Sequence, residues 1–228
     1  MTIAFEKAMN LIFEGNIVLI DIILVTLKMS ITSSIVALLI GVPLGVLFGS
    51  TSFRGKKIII VLNRTMMGLP PVVCGLLCYL MFCGVGPLRH MHLLYTVTGM
   101  VIAQIILITP VVVGSIEPFV SGIYPEIKET AIGLGLSKGK TIGLIINEST
   151  YQIVSTYLLG FSRALAEVGA VSMVGGAIVF KTNVMTTAIM NYTNMGDFDM
   201  ALALGIILMG ISLVVNIIVS IMQRRPEF

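Results

Sequence analysis

Charge is scarce in this sequence: Asp, Glu, Lys and Arg make up 11% of its 228 residues, while 57% are apolar, against about a quarter charged in an ordinary soluble domain. No water-soluble fold hides that much apolar surface, and the mean hydropathy of +1.05 agrees. Cysteine and histidine are scarce too, with three and two copies. The cysteines, Cys74, Cys78 and Cys83, crowd into one apolar run, and their spacing suits packing thiols rather than a disulfide framework or a zinc site. No nucleophile and base pair, metal-spaced His and Glu cluster or nucleotide loop is legible, so a membrane-embedded enzyme is not supported. The net charge of +3 calls for no nucleic acid.

What is present is a set of long uncharged runs. Residues 29–53, 65–88, 90–116 and 200–223 contain no Asp, Glu, Lys or Arg, and each is long enough for the ~20 residues of helix that cross a hydrocarbon core. Residues 149–180 form a fifth run, interrupted only by Arg163 and Glu167. The runs are too long, and lack the two-residue alternation, for barrel strands. The expectation is an all-α integral membrane protein with about five transmembrane helices, folded as a single domain over 1–228. The segment 17–27, broken by Asp21 and followed by Lys28, reads as an interfacial or extended beginning of the first span rather than as a separate crossing. The first 21 residues have no basic leader and no small-residue cleavage pattern, so no signal peptide is expected.

Basic residues set an expected orientation. Arg54, Lys56, Lys57, Lys128, Lys138, Lys140, Arg224 and Arg225 fall on one side, and Lys7, Lys28, Arg89 and Lys181 on the other. The excess of positive charge marks the cytoplasm, which places the N-terminus outside and the C-terminus inside.

Residues 117–148 carry seven charges, far more chain and charge than a tight turn needs. Pro125 suits a first helical position, Glu126 and Glu129 suit a positive helix end, and Ile127, Ala131 and Leu134 make one apolar face. Gly133 and Gly135 then stop the helix, and a second starts with Ser137 as cap and presents Ile142, Ile145 and Ile146. The apolar faces of this unit either pack back on the chain or fill a groove on a partner. The stretch Gly135 to Thr141 imitates a phosphate-binding loop, but only three residues separate its glycines, where four are needed, and no strand precedes it.

Glu129, Thr130, Ala131 and Gly135, with Ile145 ten residues further on, resemble the coupling loop of ABC importer permeases; Thr130, Asn147 and Glu148 depart from that pattern. Leu69 to Leu76 followed by Gly86, Pro87 and Leu88, and Arg163 to Ala170, are similar to segments of molybdate and tungstate permeases. Val168, Met173 to Gly176 and Thr186 to Ile189 look more like the tungstate branch, whereas Ala177 stands where that family usually has Asn.

The resemblance implies a type I permease fold in the inner, cytoplasmic membrane of a prokaryote, with a coupling loop at about 121–148. It implies a homodimer surrounded by membrane lipid, two cytoplasmic ABC ATPase subunits that hold ATP and Mg, an extracytoplasmic oxyanion-binding protein, and no cofactor bound by this chain. Tungstate is the expected cargo and molybdate the alternative, with sulfate more distant. A secondary transporter driven by an ion gradient is the rival class, and it would carry more ionisable groups in its spans.

Within the membrane, Arg163 and Glu167 are four residues apart and are expected on one helix face. They would serve either as an anion-facing pair in the translocation path or, the favoured reading, as a structural lock. Thr182, Asn183, Thr186 and Thr187 offer neutral donors near the outer side, Arg64 suits an interface anchor, and Pro43, Pro70, Pro71 and Pro110 permit kinks. His90 and His92 form a His-x-His, a weak metal signal.

Overall fold

The computed structural model describes residues 9–11 and 15–223. Lys7, Arg224 and Arg225, on which part of the expected orientation rests, lie outside the described residues, as does most of the segment read for a signal peptide. Among the described residues the fold is helical and without strands. Nine helices organise it: α1 (Ile17–Ser50), α2 (Lys56–Met67), α3 (Pro71–Phe82), α4 (Val97–Gly133), α5 (Lys138–Glu148), α6 (Thr150–Leu165), α7 (Gly169–Gly175), α8 (Met185–Met195) and α9 (Phe198–Gln223). A 3-10 turn, Arg89–Met91, lies between α3 and α4.

Three of these helices, α1, α4 and α9, are long and apolar enough to cross a membrane; counting the bent pairs α2 with α3 and α6 with α7 as one span each gives five. The five-span expectation therefore stands, with two of the spans broken. Residues 17–27 are the first part of one continuous 34-residue helix. That helix is started by Asn16, whose Oδ1 accepts from the Val18 and Leu19 backbone N–H at 2.9 and 3.3 Å.

The second span departs from its sequence reading. Instead of one helix over 65–88, α2 ends at Met67, α3 ends at Phe82, and the two meet at 98°. The cause is local: Pro70 and Pro71 each push the preceding residue out of helical geometry, and Pro71 then serves as the first residue of α3.

The third span differs in both directions. Its helix starts at Val97 rather than at 90, capped by Thr96, whose Oγ1 accepts from the Gly99 N–H at 3.1 Å. It then continues without a break through Pro118 and Pro125 to Gly133. Pro125 is thus interior and does not open a separate helix. An interior proline costs one backbone hydrogen bond and a ring clash, about 3 kcal/mol. Burial of Val120 and Ala131, with Tyr124 and Ile127 packed beside them, offsets that cost.

The centre of the fold is the seam between α1 and α4. Gly41, Gly45 and Gly49 repeat every four residues on α1 and face Val112, Ile116 and Val120 of α4; a Cβ at these glycines would lie 2.6–2.7 Å from those side chains. Only glycine permits this approach, and lipid-embedded helices gain cohesion from such close backbone packing. A second tight seam joins α3 to α7, where a Cβ at Gly75 would lie 2.7 Å from Ala170 Cα and one at Gly169 2.7 Å from Val72 Cγ2.

Candidate functional site: the α4–α5 elbow and the broken span

At the end of α4 the chain makes a complete left-handed helix stop. Gly135 adopts φ +61°, its N–H donates to Ile132 O at 3.0 Å, and the Leu136 N–H reaches back to Ala131 O at 2.8 Å. This pair of bonds is the Schellman arrangement, which satisfies carbonyls a helix end otherwise leaves open. The stop expected at Gly133 and Gly135 is therefore where the sequence places it. Ser137 occupies the N-cap position of α5 with extended backbone, but its side chain makes no capping bond.

The elbow divides its apolar residues between two destinations. Ala131 and Ile145 are buried, at 3% and 1% exposure; Ile145 belongs to the cluster that holds Ile116 and Val120, and Ile127 packs against it. Ile132, Leu134, Ile142 and Ile146 remain 44–70% exposed. The first sequence alternative holds for one set of residues, which anchors the elbow to its own span, and the other set is left open. Glu129, Thr130 and Gly135 are exposed on the same element, and the Thr130 hydroxyl donates to Glu126 O at 3.0 Å. A groove of about 440 Å³ runs under the elbow, lined by Ser50 and Thr51 at the end of α1, Tyr124 and Lys128 of α4, and Lys138 and Ile142 of α5, among others. Asn147 and Glu148 form the last turn of α5, and only Ser149 separates it from α6.

The intramembrane pair is not a pair. Helix α6 ends at Leu165 and α7 leaves it at 59°, so the four-residue spacing that would align Arg163 with Glu167 is interrupted between them. The Glu167 carboxylate turns instead to α7, where its Oε1 accepts from the Ala170 N–H at 3.0 Å. It thereby satisfies an N–H that the start of a helix leaves open. The Thr186 hydroxyl donates to Glu167 O at 2.8 Å and ties α8 to the same break. Arg163 has no ion-pair partner among the described residues, and its Nε is buried without a hydrogen bond.

The other expected outer donors are also turned inward. Thr187, fully buried, bridges Asn183 Oδ1 and the Val184 backbone. The Thr182 hydroxyl donates to Gly175 O at 2.6 Å. These hydroxyls hold the 176–187 turn and are not presented to a passing ligand. Arg89, His90 and His92 line a cavity of about 410 Å³ at the opposite end of α4 from the elbow. No group of three or more His, Cys, Asp or Glu side chains there, or elsewhere among the described residues, is placed to hold a metal.

One membrane-buried group was not anticipated. Gln104, 1% exposed, donates from Nε2 to Ala164 O at 2.9 Å and accepts from Ser33 Oγ at 2.6 Å. It joins α1, α4 and α6 just below the break. Its sequence signal was available, since Gln104 is the single amide side chain in the uncharged run 90–116.

Comparison with known proteins fits this architecture. The chain is 36% identical over 221 residues to the tungstate uptake system permease protein TupB of Peptoclostridium acidaminophilum, covering 97% of each. It is 34% identical to a probable anion ABC transporter permease protein of Haloferax volcanii, over 87% of this chain and 88% of that one. It is 32% identical to the TupB of Campylobacter jejuni, over 96% of this chain and 92% of that one. Residues 41–227 match the model of the binding-protein-dependent transport system inner membrane component. An all-helical chain with up to five spans and an elbow half anchored and half open thus takes its place in that family: this protein belongs to the inner membrane components of binding-protein-dependent transport systems.

Proposed function

We propose that two copies of this chain form the membrane pathway of an ATP-driven importer for a tetrahedral oxyanion, with tungstate as cargo, and that the α4–α5 elbow receives the stroke of a cytoplasmic ATPase. The observation that carries this reading is the divided elbow. Ala131 and Ile145 fix it to the transmembrane core, while Ile132, Leu134, Ile142 and Ile146 offer an open apolar surface beside Lys128, Lys138 and Lys140. Fully burying a side chain of this size in a partner's groove is worth about 1.5–3 kcal/mol, so a few such residues suffice for docking. ATP closure of two partner ATPases would draw the two elbows together and open the pathway outward, towards an extracytoplasmic binding protein. Hydrolysis would reset it. Two ATPases need two elbows, and a symmetric pair of identical chains supplies them. The elbow side is then cytoplasmic, and the Arg89 to His92 cavity faces outward. The names of the relatives support tungstate as cargo.

The test has two arms. Leu134→Glu should reduce co-purification of the ATPase by at least about tenfold, the loss of one docked anchor, with the protein still inserted in the membrane. Gly135→Asp should abolish uptake, through its left-handed φ rather than through a clash, since no atom lies within 4 Å of a Cβ built there. Normal transport by both variants would overturn the coupling role. Uptake competition between tungstate and molybdate, in cells with and without the gene, tests the cargo, and equal loss of both would remove the preference for tungstate.

A further inference from the structure

Helix α6 is built inside out for a membrane. One side, formed by Ile153, Val154, Tyr157, Leu158, Phe161, Ala164 and Leu165, packs into the apolar clusters of the bundle. The other side carries Gln152, Ser155, Thr156, Ser162 and Arg163, which fall within an arc of roughly 120° at 3.6 residues per turn. This polar side is the open one. Leu159 in its middle is 52% exposed, and a cavity of about 190 Å³ runs along it between Ser115 of α4 and Asn216 of α9. Six side-chain polar atoms among the described residues are buried without a hydrogen-bond partner, and four of them lie on this helix or its cap: Ser149 Oγ, Tyr151 OH, Thr156 Oγ1 and Arg163 Nε.

Thr156 lines the cavity at 2% exposure with its hydroxyl unmatched. In hydrocarbon such groups are costly, and a charged side chain turns to a water-filled cavity or a partner rather than to lipid. An open face that lipid does not suit must meet something wet.

Resting on the importer reading above, we infer that the Gln152–Ser155–Thr156–Ser162 face of α6, ending at Arg163, is one wall of the oxyanion path, and that the same face of a second copy is the other wall. Hydroxyls and an amide donate to an oxyanion without trapping it. Arg163 is the cation of this wall, and among the described residues no carboxylate neutralises its guanidinium. Across a two-fold axis the two guanidiniums match the double negative charge of a tetrahedral oxyanion. Glu167, turned away to cap α7, is therefore part of the design, because a carboxylate aligned with Arg163 would cancel the positive charge of this wall.

The experiment uses the full permease and ATPase complex in proteoliposomes, with Cys74, Cys78 and Cys83 replaced by Ser and single cysteines placed at Gln152, Ser155, Leu159 and Ser162. A membrane-impermeant, negatively charged methanethiosulfonate reagent should label these four positions. Controls at Phe161 and Leu165, on the packed side and away from the cavity, should stay unlabelled, and inorganic tungstate should slow labelling at Ser162. Separately, Arg163→Gln should raise the half-saturating tungstate concentration by about tenfold, the loss of one charge-assisted contact, while Arg163→Lys recovers part of it. Equal labelling of both sides, no labelling of the open side, or normal tungstate saturation in Arg163→Gln would each overturn the assignment. If the wild-type complex carries no tungstate yet the one-sided labelling persists, the cargo reading fails and the wall stands.

Discussion

The α1–α4 seam and the open face of α6 cross the same membrane and follow opposite rules. On the seam, glycines at every fourth position bring two backbones together. Several polar groups beside it are tied off: Ser33 reaches Gln104, and the Ser34 and Thr26 hydroxyls donate to Ser30 O and Ile22 O one turn back, while Ser30 Oγ and Thr109 Oγ1 stay unmatched. On α6 the side chains are large enough to meet a partner, and several polar atoms have none. The glycine contacts close the seam within the chain itself, whereas the α6 face, with four of the six unmatched buried atoms on that helix or its cap, is left for something outside the chain to complete. The contrast separates the part that holds the protomer together from the part that works.

Three substitutions probe the contrast, in decreasing order of effect. Gly45→Leu drives a branched side chain into Ile116, where even a Cβ would lie 2.7 Å away. Overpacking of this kind costs about 1–3 kcal/mol or more, and the melting temperature of the detergent-solubilised protein should fall by several degrees, with loss of expression as the extreme. A neutral result would mean that the seam is not the structural centre. Gln104→Leu removes the link between seam and broken span and leaves Ser33 Oγ and Ala164 O without it. Buried polar contacts between membrane helices are worth about 0.6–2 kcal/mol, so a smaller drop in the same melting measurement is expected. A drop as large as that for Gly45→Leu would place Gln104 in the seam rather than beside it. Glu167→Gln should do least, because an amide oxygen can still accept the Ala170 N–H, and melting should shift by no more than about 0.5 kcal/mol. A large loss there would show that the negative charge itself matters to Arg163.

Sequence alone made some of this legible and not the rest, for identifiable reasons. Four uncharged runs, and a fifth interrupted only by Arg163 and Glu167, marked the crossings because hydrocarbon disfavours charge over a ~20-residue window. Gly133 and Gly135 marked the elbow because a left-handed stop needs a residue without Cβ strain. Both signals are local. Pro125 was misread because its preference for a first helical position is a propensity, and the packing of Ala131 and Val120 outweighed it. Arg163 and Glu167 were misjudged because four-residue spacing implies a shared face only within one unbroken helix, and nothing in the intervening Ala164, Leu165 and Ala166 announces the turn of 59°. The inward-turned Thr182 and Thr187 were beyond sequence reading, since their partners belong to the turn that they themselves hold.

The 37 residues of α4 run as one rod of about 55 Å at 1.5 Å per residue, from the loop after Arg89–Met91 to the elbow. The glycine seam grips it near the middle, at Val112, Ile116 and Val120, leaving roughly 20 Å of arm on each side. Held at its centre, such a rod has two arms of nearly equal length, each packed along the bundle. A tilt of a few degrees that carries the elbow end one way carries the opposite end about as far the other way, so opposite motions at the two ends need no relay of side chains between them.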